Sequence, residues 1–162
     1  MGIPDYQLLC AQLRSLAEEE PDWLPVLANA SALVMDALDD LNWAGFYLVD
    51  QKDPAGRSLV LGPFQGKVAC VRIAFGRGVC GTAAALDKTQ LVPNVHEFAG
   101  HIACDSASQS EIVVPLHTPG TVIGVLDIDS PLLARFSEAD KEGLEAFVRT
   151  IEEVADFSSR RG

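Results

Sequence analysis

The hydrophobic positions near both ends of the chain recur at helical spacing. In residues 5–19 the apolar side chains stand three and four positions apart, which predicts an amphipathic helix. The same pattern predicts a second helix from Trp23 to Leu41. Near the C-terminus, Ser137 followed by Asp140 has the form of a capping box, although Glu or Gln is the usual partner. The helix that follows is expected to run to about Phe157.

Between these helices the pattern changes to short runs of β-branched and aromatic residues separated by turns. The sequence predicts strands over 42–49, 58–62, 69–75 and 90–92, a short helix after Gly78, an irregular stretch over 93–110, and a hairpin formed by 112–116 and 122–128. Helices on both sides of an antiparallel meander predict an α+β fold. We expect a single domain over residues 1–162, with the terminal helices on one side of the sheet and loops and short helices on the other.

The composition is that of a globular protein and restricts its partners. Hydrophobic residues make up 48% of the 162 positions, charged residues 22%, and the net charge is −11. This acidity argues against nucleic acids and anionic membranes as partners. No apolar run approaches the roughly 20 residues of a spanning helix, and the N-terminus does not resemble a signal peptide. We therefore expect a cytoplasmic protein, in which four cysteines are more typical of catalysis, redox cycling or metal binding than of structural disulfides.

Three of the cysteines have unusual neighbours for buried thiols. Glycine or charged residues lie next to Cys80 and Cys104 and within four positions of Cys70, at Gly66 and Lys67. Cys10, by contrast, lies on the apolar face of the first predicted helix and is assigned to packing. A thiol acts as a nucleophile only as the thiolate. One of the three could therefore attack a substrate while the others resolve the product; the alternative is that they are ordinary small hydrophobic residues.

Two motifs near the cysteines suggest cofactors that the spacing does not support. Residues 76–81 spell G-x-G-x-x-G, but about five helix-compatible residues follow, too few for a dinucleotide site. The backbone N–H groups of this turn could still hold a carboxylate or stabilise a thiolate at Cys80. Cys70, Cys104, His96 and His101 are metal-ligand types without metal-site spacing, so no metal site is predicted. We interpret both histidines as loop residues, His101 being close enough in sequence to help hold a thiolate at Cys104.

A pair of acidic residues gives a second candidate for chemistry. Asp127 and Asp129 are two positions apart in a predicted strand, so both point to one face. Repulsion between two carboxylates raises the pKa of one of them, and a carboxyl that stays neutral near pH 7 can donate a proton. Glu111, just before the partner strand, could complete an acidic pocket. The alternative is a solvated strand end.

Two aromatic residues, Trp43 and Tyr47, share a face of the first predicted strand because they are four positions apart. Packing in the core and a cage around a ligand are the two interpretations that this spacing leaves open.

Five segments together resemble the free methionine-(R)-sulfoxide reductases, which are GAF-domain enzymes: 43–47, 61–70, 76–83, 100–105 and 124–130. The resemblance covers about residues 42–136. It implies a GAF-like fold and thiol-dependent reduction of free L-methionine (R)-S-oxide to L-methionine, with no cofactor. The family implies that Cys104 attacks the sulfoxide sulfur and that Cys70 resolves the sulfenic acid as a disulfide, with Cys80 as a second or alternative resolving thiol. A thioredoxin-type reductant would then restore the thiols.

The resemblance also assigns the remaining site residues. It implies that three carboxylates bind and protonate the sulfoxide oxygen: Glu111, Asp127 and Asp129. Trp43 and Tyr47 would enclose the S-methyl end, and Asp105 would border the pocket. A non-enzymatic GAF domain that senses a small ligand or redox state is the alternative function, and a metal-binding regulator is a weaker one. A homodimer is left open as the assembly.

Overall fold

A six-stranded antiparallel sheet organises the fold of the computed structural model, which describes residues 2–102 and 106–160. The strands lie in the order β3-β2-β1-β6-β5-β4, and every neighbouring pair is antiparallel. The strands are β1 (Trp43–Val49), β2 (Ser58–Gly66), β3 (Arg72–Ala74), β4 (Gln90–Val92), β5 (Ser110–Thr118) and β6 (Thr121–Ser130). The helices are α1 (Tyr6–Glu19), α2 (Trp23–Ala37), α3 (Gly78–Leu86) and α4 (Glu138–Val154), with 3-10 turns at Val95–Glu97 and Ser158–Arg160.

The two faces of the sheet carry separate hydrophobic clusters. Alternate residues of β1, including Phe46, pack with α1, α2 and α4 on one face. The intervening residues, including Trp43 and Tyr47, pack with α3 and the adjoining loops on the other. The predicted α+β arrangement, with terminal helices on one side, is therefore confirmed. Within the described residues, none of the helices has the length and apolarity required to cross a membrane.

Asp140 joins the two terminal helices on the helical face. Its Oδ1 accepts a hydrogen bond of 2.7 Å from the Tyr6 hydroxyl of α1, while its Oδ2 accepts one of 2.9 Å from the Ser137 N–H in the predicted capping box. Gly143 allows this approach, since a Cβ there would lie 2.1 Å from the Tyr6 ring. A helix cap of this kind contributes about 1 kcal/mol to stability.

Among the boundaries that differ from the predictions are those of α2, α4 and β3; α4 ends at Val154 and not at about Phe157, and in α2 the apolar periodicity continues beyond the helix. Helix α2 ends at Ala37 and not at Leu41: Leu38 is extended and 2% exposed, and Asp40 has a φ of 60°. Leu38 thus packs in the core from outside the helix. Strand β3 is limited to Arg72–Ala74, so the predicted strand residues 69–71 and 75 lie outside it.

Strand β2 is longer than predicted because an irregularity in its pairing with β1 accommodates Pro63. Gly45 pairs with Phe64, while Tyr47 pairs with Leu61, so β2 carries an extra residue opposite Phe46. A Cβ at position 45 would lie 2.2 Å from the Cβ of Phe64. The absence of a side chain at Gly45 lets β2 continue to Gly66 and brings Phe64 over the non-helical face of the sheet.

Candidate active site

A small cavity of about 40 Å³ lies on the face of the sheet opposite the terminal helices. Strands β1, β5 and β6 contribute its floor, and α3 contributes Cys80 and Val79 to its wall. Further lining comes from the segment 67–71, between β2 and β3, from Ile73 of β3, from Arg77, and from the loop 93–109, between β4 and β5. The cavity therefore brings together the acidic residues and cysteine-containing segments that the sequence analysis identifies as candidates for chemistry.

Strand register brings the predicted carboxylates together. Asp129 on β6 pairs with Glu111 on β5 and with Trp43 on β1, so these three residues form one row across the sheet. Asp127 lies two residues earlier on β6 and therefore on the same face. All three carboxylates line the cavity.

Burial sets the protonation of this acidic cluster. It raises the pKa of Glu111 well above its usual range, and the charges of Asp127 and Asp129 raise it further. Burial also raises the pKa of Asp127, against the opposing effect of hydrogen bonds with Glu111, Cys80 and Asp129. Loss of solvation is thus a larger cause of the raised pKa values than the repulsion between carboxylates that the sequence predicts. The cluster can therefore hold a proton at neutral pH and donate it.

Cys80 lies against these carboxyls and is a free thiol that is 4% exposed. Burial raises its pKa well above the ordinary value, and the charges of Asp127, Glu111 and Asp129 act in the same direction. The expectation that the glycine-rich turn stabilises a thiolate at Cys80 is therefore wrong. Burial, reinforced by the acidic cluster, raises the pKa of Cys80 and favours the protonated thiol.

Cys70 lies beside the cavity and is disulfide-bonded, whereas Cys10 is a free thiol like Cys80. The Tyr47 hydroxyl donates a 2.9 Å hydrogen bond to the carbonyl of Cys70, and the Trp43 indole N–H donates one of 3.1 Å to the carbonyl of Lys67. These bonds tie segment 67–71 to β1. The predicted nucleophile Cys104 and its neighbour Asp105 lie outside the described residues.

Trp43 and Tyr47 stack on each other, with centroids 5.9 Å apart and planes inclined by 21°. Phe64 also stacks on Trp43, with ring centroids 5.1 Å apart and planes inclined by 15°. Trp43 and Tyr47 also line the cavity, so they belong both to the hydrophobic cluster and to the site wall. Sequence reasoning missed Phe64, whose position depends on the irregular pairing opposite Gly45.

His101 faces the acidic cluster, which the interpretation as a loop histidine did not anticipate. Its Nε2 lies 4.0 Å from Oε1 of Glu111, and burial lowers its pKa. His96, by contrast, is exposed and interacts with Gln109. Two further lining residues that the sequence did not single out are Arg77 and Ser108. Ser108 accepts a 3.0 Å hydrogen bond from Asn42, a pairing across 66 positions that no local pattern indicates.

Comparisons with known proteins identify the family of this chain. Residues 22–154 match the GAF domain family. A protein of Escherichia coli strain K12 named free methionine-R-sulfoxide reductase is 52% identical over 149 residues, which cover 92% of this chain and 87% of the relative. The chain belongs to the family of GAF-domain free methionine-R-sulfoxide reductases.

Solved structures named for the same reductases have the same fold. The Staphylococcus aureus fRMsr in complex with substrate has a TM-score of 0.87 and 50% identity, over 96% of this chain and 99% of that one. The free methionine-R-sulfoxide reductase of Neisseria meningitidis in complex with its substrate has a TM-score of 0.88 and 44% identity, over 97% and 92%. The similarity spans nearly the full length of each protein.

Proposed function

We propose that this chain reduces free L-methionine (R)-S-oxide to L-methionine. The observation that carries the proposal is the carboxylate cluster of Glu111, Asp127 and Asp129, of which the first two are buried and the third is half-buried. This cluster shares one cavity with aromatic side chains and lies beside a disulfide-bonded cysteine. Relatives of high identity bear the name of this reaction.

The proposed redox chemistry belongs to the cysteines. The thiolate of Cys104 attacks the sulfoxide sulfur, the oxygen passes to Cys104 as a sulfenic acid, and methionine leaves with the sulfur electron pair. The Cys70 thiol then displaces the hydroxyl as water and forms a disulfide with Cys104. One sulfoxide and two thiols thus become one thioether, one disulfide and one water. Cys80 is better suited to donate a hydrogen bond than to resolve, because its pKa is raised.

The proposed proton donor is the coupled carboxyl cluster. A sulfoxide oxygen becomes a better leaving group as it is protonated, and general acid catalysis contributes about 10²–10⁴-fold to such steps. Glu111 is the best candidate for the donor, since burial and both neighbouring aspartates raise its pKa. Trp43 and Tyr47, on the part of the cavity floor that β1 forms, would contact the S-methyl end.

A positive side chain in the cavity would select the free amino acid over a methionine residue in a peptide. Arg77, immediately before α3, lines an otherwise acidic cavity. Its guanidinium can pair with the α-carboxylate of a free amino acid, a group that a methionine residue inside a peptide lacks. The proposed substrate is accordingly free methionine sulfoxide.

Regeneration would occur at segment 67–71. Val68 and Val71 flank Cys70 and are 87% and 63% exposed, which is unusual for valine. An apolar surface beside a disulfide suits a dithiol protein that must press its reactive cysteine against one sulfur. We propose a thioredoxin-type protein as that reductant.

The direct test is the consumption of each free methionine sulfoxide epimer in the presence of dithiothreitol. The R epimer should be consumed and the S epimer should persist. Cys104→Ser should abolish turnover, while Cys10→Ser should retain it. Binding of the sulfoxide without any loss from solution would contradict the proposal and favour the ligand sensor.

The acid role has its own test. Glu111→Gln should lower kcat by roughly 10²-fold or more, in line with loss of a general acid. Glu97→Gln, the same change at an exposed position of loop 93–109, serves as the matched control. Equal kcat values for both variants would remove Glu111 from the mechanism.

A further inference from the structure

The buried cluster contains ligand types that a cation can use, in addition to its proposed role in proton transfer. Cys80 Sγ, one carboxylate oxygen of Glu111 and one of Asp127 all lie within 4.8 Å of one another, and all three residues are buried. Around a tetrahedral zinc ion, ligand atoms of these types lie about 3.4–3.6 Å apart, given Zn–S and Zn–O distances of about 2.3 and 2.1 Å. Side-chain movements of about 1 Å would therefore complete the coordination geometry.

Asp127 supplies a second, independent observation. The residue is 6% exposed and lines the cavity. Its side chain has hydrogen-bonding neighbours in Glu111, Cys80 and Asp129, yet its Oδ1 accepts no hydrogen bond from any group in residues 2–102 and 106–160. Buried carboxylate oxygens are normally satisfied by a donor or a cation. This oxygen therefore has acceptor capacity that the described side chains do not use.

A fourth ligand requires a movement of His101, which lies outside the three-residue group whose ligand atoms are all within 4.8 Å of one another. His101 Nε2 lies 4.0 Å from Oε1 of Glu111, on the cavity side of loop 93–109. The cavity volume of about 40 Å³ exceeds the roughly 10–15 Å³ needed for one water molecule, so one ion can be accommodated.

We propose that the thiol-reduced protein binds one borderline-soft divalent cation of the zinc class through Cys80, Glu111 and Asp127, with His101 as the fourth ligand. A sulfur ligand and a four-atom set favour zinc over magnesium or calcium, which prefer six or more oxygens. A bound ion would occupy the carboxylates and thereby exclude a sulfoxide from the same cavity. Binding itself rests on ligand placement and does not depend on the reductase activity.

The test uses the full chain carrying Cys70→Ser and Cys104→Ser, so that Cys80 is the site thiol available to the metal. Titration with Co²⁺ under reducing conditions should give a thiolate-to-cobalt charge-transfer band that saturates at one equivalent and disappears when Zn²⁺ is added. Adding Cys80→Ser should abolish the band, whereas adding Cys10→Ser should leave it intact. No band at one equivalent, or a band that survives Cys80→Ser, would overturn the proposal.

A nearly isosteric change keeps the test informative if Cys80→Ser impairs folding. In the same background, Glu111→Gln should weaken Co²⁺ binding by at least about tenfold, since even outer partners of metal sites contribute that much. Glu97→Gln is the control and should bind as the background variant does. Equal affinities for the two variants would exclude Glu111 as a ligand and refute the site. The readout is metal binding, so a chain that fails to reduce methionine sulfoxide still gives an answer.

Discussion

Cys80 and Glu111 lie within one small group of buried side chains, and burial is the largest cause of the raised pKa of each. The two groups then reinforce each other, because ionisation of either one would place a negative charge beside the other. A neutral thiol and a neutral carboxyl at the same site suit proton donation. The nucleophile must accordingly come from elsewhere, which agrees with the proposed division of roles among the cysteines.

This protonation state predicts slow alkylation of Cys80. In fully reduced, folded protein, iodoacetamide at neutral pH should modify Cys80 much more slowly than Cys10, because alkylation needs an accessible thiolate. Peptide mass spectrometry over a time course would give both rates in one sample. The difference should vanish in denaturant. Faster modification of Cys80 than of Cys10 in the folded state would contradict its burial and raised pKa.

Among the elements, the β1–β2 pair depends on one position without a side chain. Gly45→Ala would place a Cβ 2.2 Å from the Cβ of Phe64, and relief of such overpacking costs about 1–3 kcal/mol. The variant should therefore lose stability in urea unfolding. It should also have a raised KM, since Phe64 supports the Trp43 ring that lines the cavity.

Gly62→Ala is the matched control on the neighbouring strand. A Cβ there would approach the carbonyl oxygen of Phe46 at 3.1 Å, a closer contact than usual but not a collision between carbon atoms. Gly62→Ala should therefore lose less stability than Gly45→Ala. The reverse order would show that the close packing at Gly45 is not what limits β1–β2 pairing.

His117 connects three elements. Its Nε2 lies 2.6 Å from Asp87, the left-handed residue that ends α3, and its Nδ1 lies 2.7 Å from Glu152 on α4. Burial disfavours the charged imidazole, but the two carboxylates outweigh it and raise the pKa. The protonated side chain thus joins β5 to both helices.

A raised histidine pKa fixes the direction of a pH effect. The stability that His117 contributes is fully present below its ordinary pKa of 6.5 and is lost as pH rises through the raised value. The urea midpoint of the unmodified chain should therefore fall toward that of His117→Gln as pH increases from about 6 to 9. The exposed His96→Gln variant should show no such convergence. A gap that widens with pH would contradict the inferred sign.

The sequence pattern predicted the elements best where local chemistry decides them. The capping box at Ser137 and Asp140 and the turn between β5 and β6 form as expected. The end of α2 and the length of β2 were wrong because tertiary packing decides both. Leu38 continues the apolar period after the helix has ended, and Pro63 is tolerated in a strand whose neighbour has no side chain at position 45.

Across the assembled fold, the acidic cluster makes stability depend on pH. Because burial raises the pKa of Glu111, the folded chain holds a proton that the unfolded chain has released above the ordinary pKa of 4.5. Stability should fall as pH rises from that value through the raised pKa, by at most about 1.4 kcal/mol per pH unit for one proton. Glu111→Gln should have a flatter profile and become the more stable protein at higher pH. Parallel profiles for Glu111→Gln and the unmodified chain, measured under constant reducing conditions, would contradict this linkage.

The site as a whole could be predicted only as far as strand geometry extends. The two-residue period placed Asp127 and Asp129 on one face, and the hairpin brought Glu111 to them. His101 and Arg77 were not predicted as parts of the cavity, and Phe64 was not predicted to support its Trp43 ring. Their positions follow from how two loops and an irregular strand pair fold over the sheet, which no short sequence pattern encodes.

The alternation between the two faces of the sheet also limits how the chain can change in length. Neighbouring residues of β1, β5 and β6 serve opposite compartments, so inserting or deleting one residue within these strands would turn the carboxylates toward the helical core and apolar side chains toward the cavity. A substitution affects one face of the sheet, whereas a shift of the strand register by one residue disrupts both faces. Tolerated length changes should therefore be confined to connections such as residues 50–57, outside the paired strands.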